Sequence, residues 1–148
     1  MTTRATGTFE VTGWTESPIS ALDGGPRLTR ARVTSTWRGA VSATSSLEYL
    51  LIYTDPSHGS FIGFEHVRGS IDGLAGGFVL EHHGTFEADC VRAIWSVLPD
   101  SATGQLRGLS GSGGFVAQYG DRRTPYTLDY QLAGDRLREW NDRGVRRL

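Results

Sequence analysis

Apolar and polar residues alternate along most of this chain with a period of two. Arg30, Arg32, Thr34, Thr36 and Arg38 interleave with Ala31, Val33, Ser35 and Trp37, the pattern of a strand with one wet face and one packed face. Tyr126, Leu128, Tyr130 and Leu132 alternate with Pro125, Thr127, Asp129 and Gln131 in the same way. Val91, Ala93, Trp95 and Val97 alternate with Arg92 and Ser96, and Ile94 interrupts that polar face. Before residue 134 no stretch keeps an apolar helical period for three turns.

Turn-forming clusters separate these runs: Asp23 to Pro26, Asp55 to Gly59, Gly69 to Gly77, Pro99 to Ser101, and Gly120-Asp121. The pattern predicts strands over 5–14, 27–40, 43–54, 60–69, 76–83, 86–98, 104–118 and 123–133. Short connections make successive strands antiparallel neighbours. An open sheet of that length leaves two bare edges, so a closed eight-stranded antiparallel barrel is the expected all-β architecture, with a sandwich as the alternative. Residues 1–133 form this single domain. The Arg-rich tail 134–148 is expected to make a short surface helix, with Leu137 and Trp140 on one side.

One inward set follows from the alternation. It holds Phe9, Val11, Val33, Ser35, Trp37, Leu47, Tyr49, Leu51, Tyr53, Phe61, Glu65 and Val67 from the first four strands. Phe78, Leu80, His82, Val91, Ala93, Trp95, Val97, Tyr126, Leu128 and Tyr130 complete it. Turn centres near residues 57 and 72 set Glu65 beside Tyr49 or Leu51 on one side and beside Leu80 or His82 on the other. Trp37 is likewise expected beside Leu47, and Ser35 beside Tyr49.

Composition narrows the function classes. The chain has 148 residues, 15 basic and 16 acidic, with a formal net charge of −1. That balance argues against binding nucleic acid through overall charge. The longest apolar run, Leu50 to Tyr53, is far short of the roughly 20 residues that span a bilayer as a helix. No apolar signal segment follows Met1, and Cys90 is the single cysteine, so the expected location is the cytoplasm. All basic residues are Arg, which points to a GC-rich bacterial genome.

Several segments resemble a bacterial family of uncharacterised proteins with an allene-oxide-cyclase-like barrel. They include Phe9-Glu10-Val11 through Trp14 and Glu16, Trp37-Arg38-Gly39, Glu48-Tyr49-Leu50 and Gly63-Phe64-Glu65. The most specific is Gly76-Gly77-Phe78-Val79-Leu80-Glu81-His82-His83-Gly84, followed by Ser101-Ala102-Thr103-Gly104 and Leu128-Asp129-Tyr130. The family usually has Gly where Ala102 stands. The resemblance implies an eight-stranded barrel but no established reaction. Related barrels, such as allene oxide cyclases and dirigent proteins, shape reactive apolar substrates, usually without a cofactor.

Three inward residues are the candidate catalytic groups. Glu65 is a sheltered carboxylate suited to acid or base work, and His82, one strand away, can exchange a proton with it. Tyr49 offers a hydroxyl beside them. Trp37, Tyr53, Phe78, Trp95, Tyr126 and Tyr130 are candidate substrate contacts, able to stack on or hydrogen-bond an unsaturated molecule. For each of these aromatics the alternative role is to fill the barrel.

No metal or cofactor motif appears. His82 and His83 are adjacent, so on a strand they face opposite ways. Gly111-Ser112-Gly113-Gly114 has no helix after it to hold a phosphate. Ser101 and Thr103 read as turn formers. Cys90 reads as an inert thiol on an outer face.

The expected activity is therefore that of a cofactor-free cyclase or isomerase for a small hydrophobic, partly oxygenated metabolite. The alternatives are a non-catalytic binding protein, or a solid barrel that works through its surface. Leu50, Ile52, Ile62, Phe64 and Val79 make the outer faces of strands 3 to 5 apolar, which predicts a homodimer or homotrimer. The expected partners are a small hydrophobic molecule and further copies of the chain, with no nucleic acid and no membrane.

Overall fold

A computed structural model describes residues 2–21 and 23–133. The tail, with the helix expected around Leu137 and Trp140, lies outside the described residues. Eight strands follow in order: β1 (Thr3–Ala21), β2 (Arg27–Gly39), β3 (Val41–Asp55), β4 (His58–Ile71), β5 (Leu74–Phe86), β6 (Cys90–Val97), β7 (Ser110–Gln118) and β8 (Thr124–Gln131). Each pairs antiparallel with the next, and β8 pairs with β1 to close the barrel. Among the described residues no helix is long and apolar enough to cross a membrane.

The alternation places side chains as the pattern predicts. Val33, Ser35, Trp37, Leu47, Tyr49, Leu51, Glu65, Val67, Leu80, His82, Trp95, Tyr126 and Leu128 are all buried. Between β4 and β5 the register is as expected, with Glu65 paired to Leu80, but between β2 and β3 and between β3 and β4 it differs. Trp37 pairs with Ala43, Ser35 with Ser45, and Glu65 with Leu47. The β2–β3 connection is tighter than the sequence suggests, because Gly39 turns the chain at a positive φ of 104°. The displacements are by even numbers of residues, so they slide partners along the strands without turning any side chain to the other face.

Two strand boundaries need correction. β1 runs on to Ala21 through Ser17-Pro18 instead of ending near Trp14. Beyond Phe9, its last pair with β8, β1 is bonded to β2 alone. A proline without an N–H is tolerated on such an edge. At the other site, residues 98–109 do not form the start of β7. They line the edge of β5 instead, where Thr103 Oγ1 accepts from Gly77 N–H at 3.1 Å and Ser101 Oγ from Val79 N–H at 3.0 Å. The two hydroxyls, expected to serve turns, instead satisfy the open edge of β5. Gly76 permits this approach, because a Cβ there would lie 2.1 Å from the Thr103 carbonyl oxygen.

The interior is divided along the barrel axis. One end is a solid plug in which Trp37, Val41, Ile71, Phe78, Trp95, Leu106, Tyr126 and Leu128 pack as one cluster. Trp37 is central to it, with ring centroids 5.3 Å from Trp95, 4.9 Å from Tyr126 and 5.5 Å from Phe9. The opposite end is walled by Ala31, Val33, Leu47, Leu51, Phe61 and Phe86 and encloses open space. Trp37→Ala is expected to destabilise the fold by about 3–5 kcal/mol. Urea unfolding followed by fluorescence measures this, and an unchanged midpoint would place the plug's keystone elsewhere.

Candidate functional site

The open half of the barrel is a cavity of about 630 Å³. Its walls are mainly apolar, and two polar groupings face it at different depths. The deeper one sits on the plug. Glu65 comes from β4, His82 from β5 and Tyr49 from β3, all inward by strand parity and all buried.

These groups form a continuous hydrogen-bonded series. The Trp37 indole N–H donates to Ser45 Oγ at 3.1 Å, and Ser45 donates to Glu65 Oε2 at 2.6 Å. Glu65 Oε1 lies 2.8 Å from His82 Nε2, and His82 Nδ1 lies 2.9 Å from the Tyr49 hydroxyl. Indole can only donate, so the Ser45 proton is committed to the carboxylate. With Nε2–H donating to Glu65, Nδ1 accepts the Tyr49 proton. The His82 ring also stands edge-on to Trp95, with centroids 5.2 Å apart. Burial, and then the nearby Glu65 charge, push the Tyr49 phenol well above its usual ionisation range.

Gly63 makes the Tyr49–His82 contact possible. It lies between them, paired with Tyr49 on one side and His82 on the other. Its missing side chain leaves the path clear for the Tyr49 ring, whose Cδ1 would be 2.7 Å from a Cβ at that position.

The shallower grouping lies at the mouth. Glu16 accepts from Thr29 Oγ1 at 2.7 Å, from the Tyr53 hydroxyl at 2.5 Å and from Trp14 Nε1 at 3.1 Å. The Arg27 guanidinium sits 4.2 Å above the Tyr53 ring. Burial alone would raise the Glu16 pKa, but the bonds from Tyr53, Thr29 and Trp14, aided by Arg27, hold it below the usual carboxylate range. Desolvation, the bond to Glu16 and its charge push the Tyr53 phenol up to about 12.

Residues 5–130 match a family described as protein of unknown function, DUF3224. The chain belongs to the DUF3224 family. A crystal structure of a DUF3224 protein of unknown function from Shewanella oneidensis MR-1 is similar to it, with 28% sequence identity and a TM-score of 0.72. The match covers 89% of this chain and 98% of that one. No curated protein matches the chain.

In this DUF3224 barrel Glu65, His82 and Tyr49 come together as the sequence predicts. The expected substrate contacts do so only in part. Tyr53 lines the cavity, whereas Trp37, Phe78, Trp95, Tyr126 and Tyr130 belong to the plug. Their hydroxyl and N–H groups serve the fold: Tyr126 donates to the Arg38 carbonyl at 3.0 Å, Tyr130 to Asp72 at 2.5 Å and Trp95 to the Thr127 carbonyl at 3.0 Å. Parity fixes which side of the wall a residue faces, but not how far along the axis it lies.

Trp14 and Glu16 are cavity residues that the alternation misses. A bulge at Thr12 shifts the register so that Trp14 stands opposite Val33 and Glu16 opposite Ala31, both inward. Gly13, within an otherwise regular strand, was the available signal. Cys90 also differs from expectation. It shares the parity of outward Arg92, yet it is buried at the start of β6, next to the β5–β6 turn. Its sulfur and the Glu87 and Asp89 carboxylates lie within 4.8 Å of one another.

The mouth has a direct titration signature. Tyr53 is expected to ionise near pH 12 by ultraviolet difference absorbance, and Glu16→Gln is expected to return it toward 10. Because its folded pKa is raised, Tyr53 contributes stability that is complete below pH 10 and is lost as pH rises through about 12. A phenol that titrates at the same pH in both proteins would break this link.

Proposed function

We propose that this barrel is a cofactor-independent isomerase or cyclase acting on a small hydrophobic, partly oxygenated molecule held in the cavity. The observation that carries this reading is the Glu65–His82–Tyr49 series on the floor of an apolar chamber open at the far end. Carboxylate, imidazole and hydroxyl in that order can take up a proton and return it. As a substrate proton moves to the Tyr49 oxygen, the phenolic proton moves to His82 Nδ1, leaving an imidazolium against Glu65. Return of a proton at another substrate atom completes an isomerisation with no co-reactant. Once its own proton has passed to His82, the Tyr49 hydroxyl holds the proton taken from the substrate and donates it to the negative charge left on a substrate oxygen. The apolar walls hold one folded conformer, which is the larger part of the work in a ring closure.

A second reading, ligand binding without chemistry, draws support from one feature. Among the described residues no buried side-chain polar atom lacks a partner, so the network is complete without a substrate.

Incubation in deuterium oxide with a panel of unsaturated ketones and hydroxylated fatty acids separates the two readings. Mass spectrometry of recovered ligand is expected to show exchanged or rearranged product. Tyr49→Phe and Glu65→Gln are expected to slow it by about 10²–10⁴-fold, with uptake of an apolar fluorophore retained. Uptake with no exchange from any ligand would leave the binding reading. Absence of uptake would remove both.

A further inference from the structure

Outward positions on a barrel wall are ordinarily polar, but four neighbouring ones on β3 and β4 are apolar. Leu50, Ile52, Ile62 and Phe64 point outward and are 41%, 42%, 51% and 54% exposed. Val79, the fifth residue of the expected patch, is half-buried, its backbone bonded to Leu98 and Ser101 of the neighbouring loop. Leu50, Ile62 and Phe64 line a groove of about 520 Å³ on the outer wall, bordered by Arg30 and Arg32 on β2 and by Glu81 and His83 on β5.

The strand registers arrange this face in rows. Arg32, Glu48, Phe64 and Glu81 lie side by side across β2, β3, β4 and β5. Arg30, Leu50, Ile62 and His83 form the next row. Positive charge therefore borders the apolar strip on one side, and Glu81 borders it on the other. The Arg32–Glu48 contact within the chain is 3.5 Å long, between side chains that are more than half exposed, so Arg32 is available to reach a second carboxylate.

We propose that a second copy of this chain packs on the β2–β5 face, making an isologous dimer about a twofold axis that runs along the strands between β3 and β4. That rotation exchanges β2 with β5 and β3 with β4 while keeping each row in place. Leu50 of one copy meets Ile62 of the other, and Phe64 covers the aliphatic stem of Glu48. Arg32 of each copy faces Glu81 of the other. The same operation that buries the apolar strip therefore brings opposite charges together twice. A foreign partner would not require the patch to be complementary to itself. The apolar centre supplies the affinity, and the charged margins fix the register.

Sedimentation velocity of the full chain at micromolar concentration tests the dimer. The wild type is expected to sediment as a dimer and Phe64→Glu as a monomer, with the strand signal in circular dichroism unchanged. Arg32→Glu is expected to weaken the dimer by about tenfold or more, because it sets two carboxylates against each other. Arg32→Glu combined with Glu81→Arg is expected to restore it. A monomeric wild type overturns the proposal. So does a dimer that survives Phe64→Glu, or a double variant no tighter than the single one.

Discussion

Glu65 is a carboxylate inside an otherwise apolar barrel, and much of the interior is arranged around it. A buried charge is tolerated only where donors meet it. Here Ser45 and His82 supply them, one to each oxygen. Each donor is in turn fixed from behind, Ser45 by the Trp37 indole and His82 by Tyr49. Removing one partner from such a buried set typically costs about 3–5 kcal/mol, so these positions are coupled with one another. Trp37 also joins the two halves of the interior, because it is both the first link of the network and the centre of the plug.

The inequality of the strands explains why only one half is hollow. β1 has 19 residues and β3 has 15, whereas β6 and β8 have 8 each. At the plugged end all strands contribute to the core. At the other end β1 continues without β8 beside it, and its bulge tips Trp14 and Glu16 over the mouth. Two polar groupings result, one on the chamber floor and one on its rim. A molecule bound as proposed would pass Glu16 and its ring of donors before it reached Tyr49.

The fold was legible because period-two alternation is a direct imprint of the pleat. Residues such as Ser35, Glu65 and His82 could be placed inside from parity alone. Axial depth left no such imprint, so Trp95 and Tyr126 looked like cavity residues although they fill the plug. The bulge at Thr12 reverses parity within one strand, which hid Glu16 behind a pattern that otherwise works. Parity and turn positions set Tyr49 and His82 near Glu65, but not in direct contact with each other across β4. That contact depends on the absence of a side chain at Gly63, and a gap is visible only when the flanking strands are in register.

A crystal structure with a medium-chain aliphatic alcohol soaked into the barrel tests most directly whether the chamber delivers oxygen atoms to its floor. The alcohol is expected to lie with its hydroxyl roughly 2.6–3.2 Å from the Tyr49 oxygen, within hydrogen-bond reach, and its chain along Leu51 and Phe61 toward Tyr53. An alcohol found only on the outer wall, or held at Glu16 with its hydrocarbon end on the floor, would contradict the account.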